Sequence, residues 1–216
     1  MYLLLPPSEG KIQPEPGDRL DLSHLSFCEE LTPVRSMVLR QHKEIDQRAI
    51  APAHQLYAGV LYQALGYSTL SAASKTFANS NTIIISAAFG LLRLKDEIPY
   101  YKFKIESALW RGDIARALKG YDDELIIDAR SSTYASAWRP NPLNTVGIRV
   151  FNKVNGDLKV ITHMSKKTRG EVARYLCEKV ISPRTPRELH QQLNKKFSCR
   201  LVTPEGKQSW FIDVIA

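Results

Sequence analysis

The stretch TIIISAAFGLLRLKDEIP, residues 82–99, decides how this chain is read. Thr82 to Phe89 is an apolar run of the kind found in a strand buried in a sheet. Gly90 ends it, and Arg93, Lys95 and Asp96 follow within a few residues. The pattern occurs twice more. YLLLPPSEGK (2–11) is a strand stopped by Pro6 and Pro7 that opens onto Ser8, Glu9, Gly10 and Lys11. ELIIDARS (124–131) runs out into Asp128, Arg130 and Ser131, with Ser132 and Tyr134 just beyond. If the three strands lie parallel, their carboxyl ends share one crevice, where open sheets bind ligands.

Around these strands the periodicity predicts helices over 32–50, with Pro33 at a first helical position, and over 54–65, 107–119 and 167–180. A further short helix over 186–193 has Thr185 as its cap and Glu188 completing a capping box. VGIRVF and LKVITH, within 145–163, read as two strands joined by a turn at Asn155-Gly156. The chain closes with a hairpin that turns near Glu205-Gly206. The expected fold is mixed α/β (α+β): a central, mostly buried sheet, flanking helices and a C-terminal hairpin, in a single domain over 1–216.

The chain has 216 residues, 44% hydrophobic and 24% charged, which is the composition of a globular protein. No stretch reaches the roughly 20 apolar residues of a membrane span, and the start lacks a signal-peptide pattern, so the expected location is the cytoplasm. Cys28, Cys177 and Cys199 form no disulfide framework or zinc knuckle and are read as free thiols. The net charge of +8 is unevenly spread: 1–148 holds 16 Lys plus Arg against 16 Asp plus Glu, whereas 149–216 holds 14 against 6. A basic region of that kind attracts polyanions and is a footprint for nucleic acid.

PPSEGK is not a Walker loop, because the first glycine would fall at Leu5 and Ile12 follows Lys11. Ser8 and Glu9 are read as lining a cleft, together with Ser131 and Tyr134 beyond the third strand. Arg93 is a candidate phosphate fork; its alternative is an ion pair with Asp96 or Asp128. Asp128 and Arg130 lie on one face of a strand, either as a structural pair or with Asp128 as a base.

ITHMSKKTRGEVARYL (161–176) gathers Lys166, Lys167, Arg169 and Arg174 around a helix start, and Gly170 admits a close approach by backbone or phosphate. The plainer reading pairs Lys167 with Glu171. His163 leaves a strand and is the second candidate, with Asp128, for proton handling. The dispersed acids form no metal motif, and neither a metal nor another cofactor is expected.

The segments PPSEGK (6–11), LYAGVLYQAL (56–65), SAAFGLLRLKDEIPYYKFKI (86–105), LIIDARSSTYASAW (125–138) and VITHMSKKTRGEVARYL (160–176) together resemble the YaaA family of peroxide stress proteins. The likeness spans nearly the whole chain. It implies an unusual mixed fold and a cytoplasmic bacterial protein that limits hydroperoxide damage and binds DNA through a basic cleft and a helix-hairpin-helix element. Carried over residue by residue, the cleft cations are Lys11, Arg93, Arg130, Lys166, Lys167 and Arg174.

Two departures stand out. PPSEGK replaces a Ser-Pro-Ala-Lys-Thr pattern of longer members, and 32–50 has no hydrophobic-Gly-hydrophobic turn. Two functions remain open at this point: non-specific contact with duplex phosphates, or an enzyme acting on a small phosphorylated substrate or nucleotide in the same cleft.

Overall fold

The computed structural model describes residues 1–154, 157–160, 162–206 and 208–215, with side chains over 1–152, 165–206 and 208–215. Its strands are β1 (Tyr2–Leu5), β2 (Ile50–Pro52), β3 (Thr82–Ser86), β4 (Gly90–Leu92), β5 (Glu97–Pro99), β6 (Ile126–Asp128), β7 (Thr145–Val154), β8 (Asp157–Val160), β9 (Ser198–Val202) and β10 (Trp210–Ile215). The helices used below are α1 (Cys28–Gln41), α2 (Lys43–Asp46), α3 (Ala53–Leu56), α4 (Val60–Leu65), α5 (Ala72–Asn81), α6 (Ser107–Ala117), α7 (Ser132–Ala135), α8 (Thr162–Glu178) and α9 (Pro186–Leu193).

The main sheet runs β4-β3-β1-β6-β7-β10-β9, and β8 also pairs with β7. Strands β3, β1, β6, β7 and β10 are mutually parallel, while β4, β8 and β9 are antiparallel to their neighbours. The fold is therefore a mixed α/β one, as the strand and helix pattern anticipates. β2 and β5 form a separate two-stranded sheet that the sequence reading did not anticipate.

Alternation along the strands builds two apolar layers, because successive side chains point to opposite faces. Leu3, Leu5, Ile84 and Ile127 face a layer with Leu56, Leu61 and Leu65 of α3 and α4, Val172 and Leu176 of α8, and Leu189 of α9. Leu4, Ile83, Ile85 and Ile126 face Leu31, Val34 and Val38 of α1 and Trp110 and Ile114 of α6. Each fully buried Leu or Ile contributes about 1.5–3 kcal/mol relative to exposure, which explains why the central strands are apolar on both faces.

Several elements depart from expectation for tertiary reasons. The helix expected from Thr32 starts at Cys28 and ends at Gln41, with Pro33 inside it. Its buried face is Leu31, Val34, Arg35 and Val38, so the burial of Leu31 draws the start upstream of the proline. The helix expected over 54–65 is interrupted at 57–59, where Ala58 N donates to Gly10 O and Ile12 N donates to Leu56 O. The strand expected to reach His163 ends at Val160, opposite Phe151 of β7. Thr162 already begins α8. The Asn155-Gly156 turn lies outside the described residues.

The capped helix at 186–193 forms as expected. Thr185 Oγ1 accepts from Glu188 N at 3.2 Å, while the Glu188 carboxylate reaches past the cap to Arg184 N at 2.8 Å.

Candidate functional site

β1 and β6 are adjacent and parallel, so the loops that leave them meet at one end of the sheet. Pro6–Gly10 follows β1 and 129–134 follows β6. These loops form two walls of a cleft of about 560 Å³. Gly59, Leu61 and Tyr62 from the start of α4 form the third wall, and Ser165, Lys166 and Arg169 from α8 form the fourth. Ser8, Glu9, Ser131, Tyr134, Lys166 and Arg169, all singled out in the sequence, thus line one cavity.

The walls are pinned by local bonds. Ser8 Oγ accepts from Gly59 N at 2.8 Å, and a Cβ at position 59 would overlap that oxygen. The Tyr62 hydroxyl donates to Pro6 O at 2.7 Å. Tyr62 is buried, which raises its pKa well above the ordinary phenol value and keeps it a neutral donor. Burial likewise raises Tyr134, with the nearby Glu9 charge adding to the shift.

Arg169 is half-buried. Its Nε donates to Ile148 O at 3.1 Å and its Nη1 to Arg130 O at 3.3 Å, which ties α8 to β7 and to the β6 loop. Desolvation lowers its pKa and the charge of Asp128 opposes that shift. The adjacent Lys166 is exposed at the cleft rim. Together they place two positive groups opposite the strand-end loops.

Other predicted residues are spent on structure. Arg130 forms a two-pronged pair with Asp128, Nε to Oδ1 at 2.8 Å and Nη2 to Oδ2 at 2.7 Å. It also donates to Trp138 O at 3.0 Å, and its side chain is 1% exposed. Of the two readings offered for Asp128, the geometry is that of the structural pair. Arg174 caps α4: it donates to Leu65 O and Gly66 O, both at 3.1 Å, and pairs with Glu178 at 2.7 Å. Lys167 pairs with Glu171 at 3.7 Å and is not part of the cleft lining.

Arg93 lies elsewhere. Because β4 runs antiparallel to β3, Arg93 returns to the amino end of the sheet, where it donates to Ser80 O at 2.9 Å and Thr82 O at 3.0 Å. Gly170 does permit a close approach, and what approaches is the backbone of α4: a Cβ there would overlap the Leu61 carbonyl oxygen. His163 falls within α8 and its side chain lies outside the described residues.

Lys11 sits one layer behind the lining. Its Nζ donates to Ser8 O at 2.6 Å and lies 4.3 Å from the Tyr101 ring centroid. Desolvation pushes its pKa down to about 8, and the charge of Glu9 only partly opposes this.

Sequence reasoning missed two features. Gly59 and Tyr62 of the third wall were read as parts of a continuous helix, although Gly59 inside that pattern was the available signal for a break. It also missed the Arg149–Asp213–Arg200 triad. Asp213 is fully buried on β10 and accepts from Arg149 Nε at 2.6 Å and Arg200 Nη2 at 2.8 Å, from its direct partners on β7 and β9. An acid in the middle of FIDVI was the signal for this pairing.

The fold and site define an α/β protein with a ligand-sized cleft at the carboxyl ends of parallel strands. A family profile described as peroxide stress protein YaaA matches residues 34–200, and the chain belongs to that family. A UPF0246 protein of Streptomyces coelicolor is 30% identical, with 100% of this chain and 98% of the relative aligned. A UPF0246 protein of Corynebacterium efficiens is 34% identical over 82% of this chain and 85% of its own length. Membership ties the chain to peroxide stress. Among the described residues no helix is long and apolar enough to cross a membrane.

Proposed function

We propose that this chain is a cytoplasmic DNA-binding protein of the peroxide stress response, contacting duplex phosphates at the mouth of the strand-end cleft without reading base sequence. The observation that carries this reading is the convergence of Lys166 and Arg169 on the loops after β1 and β6. Phosphate contacts of this kind position a duplex but hold no base code. Residues 32–50 hold most of α1, all of α2 and the first residue of β2, with no glycine turn between the helices. The proposal therefore rests on the cleft.

The test is duplex affinity as a function of salt. Each phosphate contact steepens the log-log salt dependence by about 0.9, so replacing Lys166 and Arg169 together by alanine should flatten the slope by roughly 2. Affinity indifferent to salt, or a slope unchanged in the double variant, would remove the cleft from the proposal.

A second reading has its own support. The cleft is of a size that suits a single nucleotide or sugar phosphate, and Glu9, Tyr134 and the serines supply polar groups inside it. Under this reading the chain is an enzyme on a small phosphorylated substrate. Competition by a mononucleotide against duplex, at concentrations that leave the bulk ionic strength unchanged, separates the two.

A further inference from the structure

We propose that the Lys11 amine is a carbonyl-directed nucleophile, placed to form an imine with the aldehyde of a phosphorylated sugar drawn into the cleft. Lys11 is fixed by its own loop: Ile12 N donates to Leu56 O and Ala58 N donates to Gly10 O, so the segment pairs with the break between α3 and α4. Its side chain folds back onto Ser8, a lining residue, with Nζ over the Tyr101 ring and 5.7 Å from the Tyr57 centroid. Among the described residues no carboxylate lies within ion-pair distance of that nitrogen, and Glu9 acts on it only through its longer-range charge. Imine formation in the cleft requires the lysine stem to leave the Ser8 carbonyl and swing past Ser8, Glu9 and Gly10, which line the cleft where Lys11 itself does not.

Burial raises the share of free amine. Desolvation disfavours the ammonium, while the Tyr101 ring face, the Ser8 carbonyl and the more distant Glu9 charge offset only part of that cost. With a pKa of about 8, roughly a tenth of Lys11 is neutral at pH 7, against about three in ten thousand for an ordinary lysine. Other nucleophiles are worse placed. The N-terminal amine is paired with Glu124 at 2.8 Å, and burial pushes the Cys177 thiol up to about 12 and Cys199 to about 11. The neighbouring hydroxyls of Tyr57, Tyr101 and Ser86 are linked at 2.8 and 2.9 Å, which holds the rings under Lys11 in place.

The step balances without a further reactant. The amine nitrogen adds to the aldehyde carbon and one N–H proton passes to the carbonyl oxygen. The resulting hydroxyl then leaves with the second N–H proton as water, and a C=N bond remains. The phosphate of the sugar rests on Lys166 and Arg169, so the inference depends on the phosphate-binding reading above. An abasic sugar in DNA and a free sugar phosphate share this chemistry.

Trapping with cyanoborohydride tests it on the full chain. The wild-type protein is incubated with a duplex containing one abasic site, with 2-deoxyribose 5-phosphate, or with phosphate-free glycolaldehyde, and adducts are located by peptide mass mapping. The expected result is one adduct per chain, on Lys11, with the phosphorylated aldehydes labelling at least about tenfold faster than glycolaldehyde. Labelling by the abasic duplex alone identifies DNA as the source; labelling by the free sugar phosphate identifies the small molecule. Lys11→Arg, with a melting curve to verify folding, should lose the adduct.

Adducts spread over exposed lysines, or equal trapping in Lys11→Arg, overturn the inference. Salt-dependent binding of intact duplex with no Lys11 adduct sinks it while leaving the phosphate reading standing. A Lys11 adduct formed equally fast with glycolaldehyde removes the phosphate site and keeps the amine chemistry.

Discussion

Arg130 and Arg93 each follow an apolar strand closely, and they finish at opposite ends of the sheet. Arg130 leaves β6, which is parallel to β1, and so arrives behind the cleft. Arg93 leaves β4, which turns back along β3, and arrives beside Tyr2 and Tyr121 at the amino end. In both places the guanidinium collects backbone carbonyls, Trp138 O in one case and Ser80 O and Thr82 O in the other. An arginine tethered next to a core is the side chain best able to satisfy several orphaned carbonyls at once. The cations that line the cleft, Lys166 and Arg169, come instead from α8. Strand direction decides which loops share a site, and burial decides which cations are still available there.

The sharpest way to break this comparison is Arg130→Ala. It leaves Asp128 without its partner and Trp138 O without its donor, and an expected loss of about 3–5 kcal/mol should appear in chemical denaturation. A loss below 1 kcal/mol would show that the pair is not structural.

Gly170→Ala comes next, at about 2 kcal/mol, because the new methyl collides with the backbone of α4 and pushes α8 with it. Since α8 also carries Lys166 and Arg169, duplex affinity should fall along with stability. Arg93→Ala should cost about 1–2 kcal/mol and leave duplex affinity unchanged, whereas Lys166→Ala should do the reverse, keeping stability within about 0.5 kcal/mol. If both variants moved the same observable, the two ends of the sheet would not be functionally distinct.

The smallest effect concerns His54, packed 4.0 Å from the Tyr67 ring. Burial, with the charge of Lys75 adding to it, pushes its pKa down from 6.5 to about 4. Above pH 6.5 the ring is neutral in both folded and unfolded chains. Below that, only the unfolded chain takes up the proton, so stability falls until about pH 4, by about 1 kcal/mol after solvent screening. His54→Phe should flatten this part of the pH profile, and an unchanged profile would assign the loss to other groups.

Much of the fold was legible because burial leaves a mark on sequence. The central strands are apolar on both faces, Thr185 and Glu188 mark a helix start, and the C-terminal hairpin has its glycine. Elements whose logic is non-local were less legible. Residues 57–59 leave the helix where the 10–12 segment bonds to it, Ala58 N to Gly10 O and Ile12 N to Leu56 O. α5, with few large apolar residues and a Ser71 cap, left no strong period and was not anticipated.

The sequence by itself determined the residue types of the cleft: hydroxyls, a carboxylate and lysines placed after strands that had to be buried. It also determined the family. Only the tertiary structure decided which of those groups meet, because strand direction is set by pairing between distant segments and leaves no trace in local composition. It likewise decided which charges remain available. A guanidinium's partners, such as Leu65 O for Arg174 or Asp213 for Arg149, are backbone and side-chain atoms brought near by folding, 109 and 64 residues away.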